Sequence, residues 1–298
     1  MRKKLTAVLL AATMLLTSGV TVFADRVDAV IDKPYLALGA DLSPQEQMTV
    51  LSLLGLSDIN VDDYDIISIT NADEHEYLDK YLDASIIGTR ALSSVLVVGK
   101  EAGNGIHVTT KNISYCTEGM YRNALLTAGI EDADITVAGP FSISGTAALV
   151  GAIKAYETMT GEEIDDENLD AANDELVLTG KLVEDIGDSE KAEDLMALVK
   201  QEVAENKLTS AEDIQNVVDQ ACDQLDIQLS EENQQQIAKL MKKIEGLDLD
   251  VDKLKDQAKD LYQKLEDLDF HVDKESVGNF FTRIIDAIVK FFQGLFGK

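Results

Sequence analysis

The segment His75-Glu76-Tyr77-Leu78-Asp79 comes nearest to a sequence motif with known chemistry. A zinc hydrolase of the HExxH type uses two histidines, one helical turn apart, as zinc ligands and the glutamate as general base. Here Asp79 occupies the place of the second histidine, and His107 and His271 lie far along the chain. The spacing therefore predicts neither a zinc hydrolase nor a resident cofactor.

The same stretch is better suited to recognition of a polar ligand. Glu74, His75 and Glu76 lie near the start of a predicted helix, where the helix dipole favours carboxylates. Arg90 can pair with one of these glutamates in two ways. A buried structural clamp would cost about 3–5 kcal/mol to break, and it would suit a non-catalytic binding protein. A charged cleft around His75, Glu76 and Arg90 would instead suit an extracellular enzyme, which is the alternative function.

Two acidic runs, residues 58–63 and 248–252, repeat the alternating oxygen ligands that open an EF-hand loop. The sixth position of that loop needs a glycine, and these runs carry Asp63 and Lys253 there. Neither run has the glutamate that the loop needs at its twelfth position. The sequence therefore predicts no EF-hand and at most loose calcium binding.

The first 24 residues, 1–24, predict a secretory signal peptide. Arg2-Lys3-Lys4 precede an apolar run, and Val22-Phe23-Ala24 provide the small residues that a signal peptidase recognises. We expect cleavage after Ala24. The mature protein should then be secreted, either free outside the cell or peripheral on the outer face of the cytoplasmic membrane.

The chain is strongly acidic, with 55 Asp and Glu residues against 26 Lys and Arg residues and a net charge of −29 at pH 7. Nucleic-acid binding depends on Lys and Arg to neutralise phosphates, so the composition excludes a nucleic-acid partner. We expect the partner to be an envelope protein or a membrane surface.

Residues 25–160 alternate between strand and helix patterns, which predicts a small sheet with helices packed on it. Two capping boxes mark helix starts, one at Ser43 with Glu46 and one at Asn71 with Glu74. Two β-rich runs around Gly103-Asn104-Gly105 predict a hairpin. The segments that end at Gly55 and Gly129 are similar in sequence, which suggests a duplicated α-β-α unit.

The segment 134–157 predicts a strand, a tight turn and a long helix in succession. We expect Gly139-Pro140 to end the strand, because proline has no N–H group to donate. Ser142 or Ser144 should then cap the helix. Small residues such as Gly151 should let another element approach this helix closely.

Several segments of this half together resemble the YpuA-like family of secreted Gram-positive bacterial proteins. They are LGADLS at 38–43, ITNADEHEYL at 69–78, IGTRALSS at 87–94, NALLTAGI at 123–130 and GPFSISGTAAL at 139–149. That family is a domain of unknown function, so the resemblance implies secretion and architecture but provides no catalytic residues.

Residues 161–272 begin with an acidic connector and continue as short amphipathic helices, which predicts a small bundle and an α+β protein overall. Ser210 and Ser230 mark helix starts there, and Gly246 marks a helix end. Cys116 and Cys222 fall in different halves, and we expect them to be independent buried thiols.

The last segment, 273–298, predicts an amphipathic helix with a wide aromatic face and a basic polar side. Such a helix either docks on the bundle or contacts a membrane or partner. The residues of that contact would be Phe280, Phe281, Ile284, Ile288, Phe291, Phe292, Leu295 and Phe296.

Overall fold

The computed structural model describes residues 33–57, 60–161, 163–247 and 249–257. Within these ranges the chain forms a mixed sheet with flanking helices up to Thr160, and only helices after it. The predicted α+β architecture, with an α/β part followed by a helical part, is confirmed.

The sheet contains five strands in the spatial order β2-β1-β3-β5-β4. The strands are β1 (Tyr35–Gly39), β2 (Asp65–Ile69), β3 (Ser94–Gly99), β4 (Ile106–Ile113) and β5 (Ala133–Ile143). Strand β1 runs parallel to β2, and β4 runs parallel to β5. Strand β3 is antiparallel to both of its neighbours, β1 and β5, so it joins two parallel pairs.

The predicted hairpin is wrong, because β5 lies between β3 and β4. The Gly103-Asn104-Gly105 turn does form, but it turns around Asp132, which directly precedes β5. The Asp132 carboxylate accepts from the Gly103 and Gly105 amides at 3.0 and 2.6 Å. Ile135 and Val137 are well suited to a central strand, and β5 pairs with both arms in place of a direct pairing between them.

Among the residues that the structure describes, five α-helices accompany the sheet: α1 (Pro44–Leu53), α2 (Asn71–Leu78), α3 (Ala84–Ile87), α4 (Glu118–Thr127) and α5 (Thr146–Thr160). Helix α1 covers the sheet face that carries Leu36 and Ala138. Helices α2, α4 and α5 cover the opposite face, which carries Ala37, Val95 and Ile135. Because successive strand residues point to opposite faces, the central strands β1, β3 and β5 are covered on both sides, whereas the edge strands β2 and β4 remain partly exposed.

Helices α1 and α4 are similar to each other, as the sequence of their segments indicated. Each has 10 residues, and each starts at a capping side chain, Ser43 or Thr117. Each is followed by a glycine with positive φ, +81° at Gly55 and +92° at Gly129. Each is also followed by a strand and a further helix, β2 with α2 and β5 with α5. The two helices nevertheless lie on opposite faces of the sheet, so the order of elements repeats but their packing does not.

Two details predicted for the segment around α5 are wrong. Strand β5 continues through Pro140 to Ile143. The proline is tolerated because β5 carries extra residues between its pairings at Ala138 and Ile143, and Pro140 is one of these unpaired residues. Gly145, not a serine, is the N-cap of α5, and no side chain caps it there. Instead, the hydroxyl of the sequence-distant Ser93 accepts a hydrogen bond from the Ala148 amide, in the first turn of α5, at 2.9 Å.

Helix α5 approaches the sheet closely at Gly151, as the sequence predicted. A β-carbon at this position would lie 2.8 Å from the Ala37 Cβ and 3.1 Å from the Val95 Cγ1. Contacts of that length require neighbouring atoms to move, so only glycine fits without rearrangement. The glycine therefore sets the spacing between α5 and the strands β1 and β3.

Four further helices follow in the described ranges: α6 (Asp166–Ile186), α7 (Ser189–Asn206), α8 (Ala211–Gln224) and α9 (Glu231–Glu245). Residues 251–257 are also helical. The predicted helix starts at Ser210 and Ser230 and the predicted end at Gly246 are confirmed. Cys116 belongs to the core around the sheet and Cys222 to the core of these helices, and both are buried free thiols.

A buried ion pair joins the two parts where α4, α6 and α7 meet. Lys200 of α7 and Glu175 of α6 both have fully buried side chains, with the Lys200 Nζ 2.9 Å from a Glu175 carboxylate oxygen. The same Nζ also donates to the Asn123 carbonyl oxygen at 2.9 Å and to the Thr127 Oγ1 at 3.0 Å. All three ammonium donors therefore have partners, as a buried charge requires.

Candidate functional site

Glu74 is a buried structural carboxylate, because α2 starts one residue earlier than predicted. Thr70 and Asp73, not Asn71 and Glu74, form the capping box. Glu74 consequently turns inward, is 1% exposed, and accepts from the Thr146 Oγ1 at 2.7 Å and the Asn71 Nδ2 at 3.1 Å. Burial raises the pKa of Glu74 against the effect of these hydrogen bonds. Its contacts link α2 to the start of α5.

His75 is held by a contact within its own helix. Its Nδ1 lies 2.5 Å from the Asp79 Oδ1, and this contact, more than any other, raises the pKa of the imidazole. Asp79 occupies the place of the second histidine in the zinc-hydrolase motif. It therefore binds His75 itself, the one histidine of this segment.

Arg90 forms a clamp, but with a different partner and in a more exposed place than the sequence suggested. Its guanidinium pairs with Glu46 of the α1 capping box at 3.0 Å and donates to the Asp41 carbonyl oxygen at 2.7 Å. The Arg90 side chain is 47% exposed, so the expected buried pair is wrong. The pKa of Glu46 is lowered to about 2, chiefly by the Ser43 amide and hydroxyl and then by Arg90.

Glu76 lies elsewhere, on the wall of a cavity of about 620 Å³ that we call the acidic cavity. The cavity is bounded by α2 and the turn after it, the end of α5, the connector and the first turns of α6. Its carboxylates are Glu76, Glu157, Glu163, Asp166, Glu167 and Asp170, and its rings are Tyr77 and Tyr81. Neither His75 nor Arg90 lines it, so this cavity does not bring together the three residues of the enzyme alternative.

The end of α5 and the connector shape one wall of the acidic cavity. Helix α5 ends at Gly161, which has a positive φ of +71°. The Glu157 carboxylate then accepts from the Ile164 amide at 3.2 Å. This contact turns the connector back toward α2 and brings Glu163 and Glu167 to the same opening as Glu76.

Tyr77 and Tyr81 both have raised pKa values, and nearby carboxylates contribute to each shift. The pKa of Tyr77 is raised to about 12 by burial and by the nearby charges of Glu157, Glu76, Asp73 and Glu163. The pKa of Tyr81 is also raised, by burial and by its hydrogen bond to Asp170. Carboxylates thus surround both phenols, and a cation is the species that their negative potential attracts.

Lys154 places a cation next to Tyr77, at the edge of the acidic cavity. The Lys154 ammonium lies 5.3 Å from the centroid of the Tyr77 ring and 2.5 Å from the Asp73 carboxylate. This pair lowers the pKa of Asp73 to about 2, through the hydrogen bond from Lys154 and those from Thr70. The face of Tyr77 is therefore able to hold an ammonium group next to a carboxylate.

Some side chains of the two predicted calcium runs form hydrogen bonds within their own run. Asp250 accepts from the Asp252 and Lys253 amides at 2.9 and 3.2 Å, and so it starts the helix at 251–257. Residues 58, 59 and 248 lie outside the described ranges. Within those ranges, no group of three or more His, Cys, Asp or Glu side chains is arranged to hold a metal ion.

The predicted contact residues of the last segment, from Phe280 to Phe296, also lie outside the described ranges. Among the residues that the structure describes, no helix combines the length and the apolar character that a membrane crossing needs.

The acidic cavity was largely missed by reasoning from the sequence. Glu76 is a candidate from the sequence, but the sequence does not single out Tyr81, and it indicates only an acidic connector between the two parts of the chain. The density of acidic residues in that connector was the available signal. Its proximity to α2 depends on how α5 and α6 pack, which the local pattern does not reveal.

Comparison with known proteins gives a family but no activity. The chain is 39% identical to the uncharacterized protein YpuA of Bacillus subtilis (strain 168) over 294 residues, which cover 98% of each chain. No solved structure matches it. Residues 38–261 match the family model described as a protein of unknown function, DUF1002, and the chain therefore belongs to the DUF1002 family.

Proposed function

We propose that this chain is an exported, non-catalytic binding protein whose acidic cavity takes up an organic cation. The predicted signal peptide supports export. The observation that carries the binding proposal is one cavity with six carboxylates and two tyrosine rings, in which Lys80 is the cationic side chain among the described lining residues.

The size and chemistry of the cavity fit a small organic cation. Its volume of about 620 Å³ lies within the range of small-molecule sites, which is roughly 300–1,000 Å³. An ammonium or guanidinium group gains from carboxylates and from the face of an aromatic ring. A flexible amine with several charges can reach several of these carboxylates at once.

An organic cation fits better than a bound metal ion. Metal binding needs several ligands within about 2.6 Å of one point, and the described residues contain no such cluster. Carboxylates spread around a cavity instead match a ligand whose charges are separated along a chain.

The test is calorimetric titration of residues 25–298 with spermidine at low salt. The triple variant Glu76→Gln, Glu163→Gln, Glu167→Gln removes three exposed cavity carboxylates that form no side-chain hydrogen bond or ion pair in the described structure. We expect it to weaken binding about tenfold or more, or about 1.4 kcal/mol.

The matched control removes three exposed carboxylates from elsewhere, with Glu101→Gln, Glu184→Gln and Glu212→Gln. We expect it to change the affinity less than threefold. Equal losses of affinity in the two triple variants would show that spermidine responds to the overall charge of the protein and not to the cavity. No measurable spermidine binding by the parent chain would remove the proposal altogether.

Association with the cell envelope is also part of the proposal, and the predicted amphipathic helix at 273–298 supports it. Such a helix lies in a membrane interface through its apolar face. We expect anionic vesicles to co-sediment residues 25–298 but not a chain that ends at Glu275. Equal behaviour of the two chains would remove this part.

A further inference from the structure

A second cavity lies on the helical part, between α6 and α9, and we call it the α6–α9 groove. Its volume is about 450 Å³. Lys181, Lys239 and Lys243 lie around it, and Val177, Leu178 and Leu240 provide its apolar surface. In a chain with a net charge of −29, three lysines around one apolar groove form an exceptional patch.

Helix stability explains only part of this patch. Lys242 and Lys243 lie in the last turn of α9, where the helix dipole favours cations. Lys243 is also neutralised locally, because it forms ion pairs with Asp170 and Asp174. Neither explanation applies to Lys181 or Lys239, which lie before the last turns of their helices.

Lys181 and Lys239 are available to a ligand. Both side chains are exposed, and neither forms an ion pair with any residue that the structure describes. Asp174 is the carboxylate that lines the groove, and Lys243 already holds it at 2.7 Å. The groove thus has two uncompensated positive charges beside an apolar floor.

We propose that the α6–α9 groove binds a small amphipathic carboxylate, such as a medium-chain fatty acid. The carboxylate contacts the Lys181 and Lys239 ammonium groups, and the alkyl chain covers Val177, Leu178 and Leu240. Burial of the alkyl surface favours binding, while the two lysines select the anionic head group. The groove borders the acidic cavity, because Lys243 pairs with Asp170 of that cavity. Lys181 and Lys239 do not line the cavity, so the proposal does not depend on cation binding there.

The experiment is calorimetric titration of residues 25–298 with decanoate, kept below the concentration at which it forms micelles. Decanol and acetate are the comparison probes, since decanol has the tail without the charge and acetate has the charge without the tail. We expect decanoate to bind at least tenfold more tightly than either. Equal binding of decanol, or no binding of decanoate, would overturn the proposal.

The double variant Lys181→Gln, Lys239→Gln tests the location of the site. We expect it to weaken decanoate binding about tenfold, because both head-group contacts are lost. The charge-matched control is Lys207→Gln, Lys242→Gln, which changes two exposed lysines outside the groove, and we expect less than a twofold effect. Equal losses in the two double variants would place decanoate elsewhere and contradict the assignment. A thermal melt of each variant verifies that it is folded.

Discussion

The junction of α4, α6 and α7 and the loop before β3 each contain one ion pair, and the two pairs differ in their surroundings. Lys200 and Glu175 are fully buried at the junction. In the loop, Arg90 is 47% exposed and Glu46 is 20% exposed. Burial lowers the pKa of Lys200, against the opposing effect of Glu175.

The comparison shows that the number of ion pairs in a fold says little about what holds it together. A buried charge that loses its partner remains without water, which is costly. An exposed charge that loses its partner is solvated and screened by salt. The junction pair should therefore matter for stability, and the loop pair should matter little.

Replacement of Lys200 by methionine should have the largest effect. The variant leaves the Glu175 carboxylate buried without a cation, so we expect the free energy of unfolding to fall by about 3–5 kcal/mol. Urea denaturation of residues 25–298 measures this change. Lys242→Met, at an exposed lysine, is the control and should change stability by less than about 0.5 kcal/mol.

The double variant Lys200→Met, Glu175→Leu separates lost pairing from lost packing. It removes both charges, so most of the lost stability should return. A double variant that is no more stable than Lys200→Met would show that the pair is itself stabilising and that desolvation is not the main cost.

Glu202 of α7 provides a third case, a largely buried carboxylate that forms no ion pair with any residue that the structure describes. Its Oε2 is inaccessible and has no hydrogen-bond partner in the described part of the chain. Burial, with help from the charge of Glu205, raises its pKa from 4.5 to about 7. The folded state then binds more protons than the unfolded state between these pH values, so stability falls as pH rises through this window.

The variant Glu202→Gln should remove that pH dependence. We expect it to be more stable than the parent chain at pH 8, by up to about 3 kcal/mol, and similar to it at pH 4. Urea denaturation at several pH values measures the effect, with Glu212→Gln at an exposed site as the control. An unchanged slope between pH 4.5 and pH 7 would contradict the assignment.

Arg90→Ala should have the smallest effect, under about 1 kcal/mol. The sequence alone suggested a larger loss, because it indicated a buried pair. The capping box of α1 also remains, since the Ser43 amide still donates to the Glu46 carboxylate at 2.7 Å. Thermal unfolding at low and high salt measures the effect, and a loss above 2 kcal/mol that persists in high salt would break the comparison.

Much of the local structure could be predicted from the sequence, because it depends on contacts within a few residues. The cap of α1 at Ser43 with Glu46 is one example, and the helix starts at Ser210 and Ser230 are others. At α2, the sequence predicts a box at Asn71 with Glu74, one residue away from the box that forms. The structure uses Thr70 with Asp73 because Glu74 has a partner in the distant Thr146.

Strand order and the candidate site depend on contacts between distant segments, and here the sequence was less informative. The position of β5 between β3 and β4 requires Asp132 to bind the glycine turn, 27 to 29 residues away. The acidic cavity likewise combines Glu76 with Glu163 and Glu167. The buried Lys200 gave a weak signal, as a single lysine within an apolar helical stretch.

The two cysteines have a consequence for redox chemistry. Burial raises the pKa of Cys116 to about 12 and that of Cys222 to about 11. Thiolate, the form that attacks disulfides and reacts with peroxides, is therefore almost absent at neutral pH. The folded protein should keep both thiols reduced in an oxidising compartment, and its folding should need no enzyme that forms disulfides.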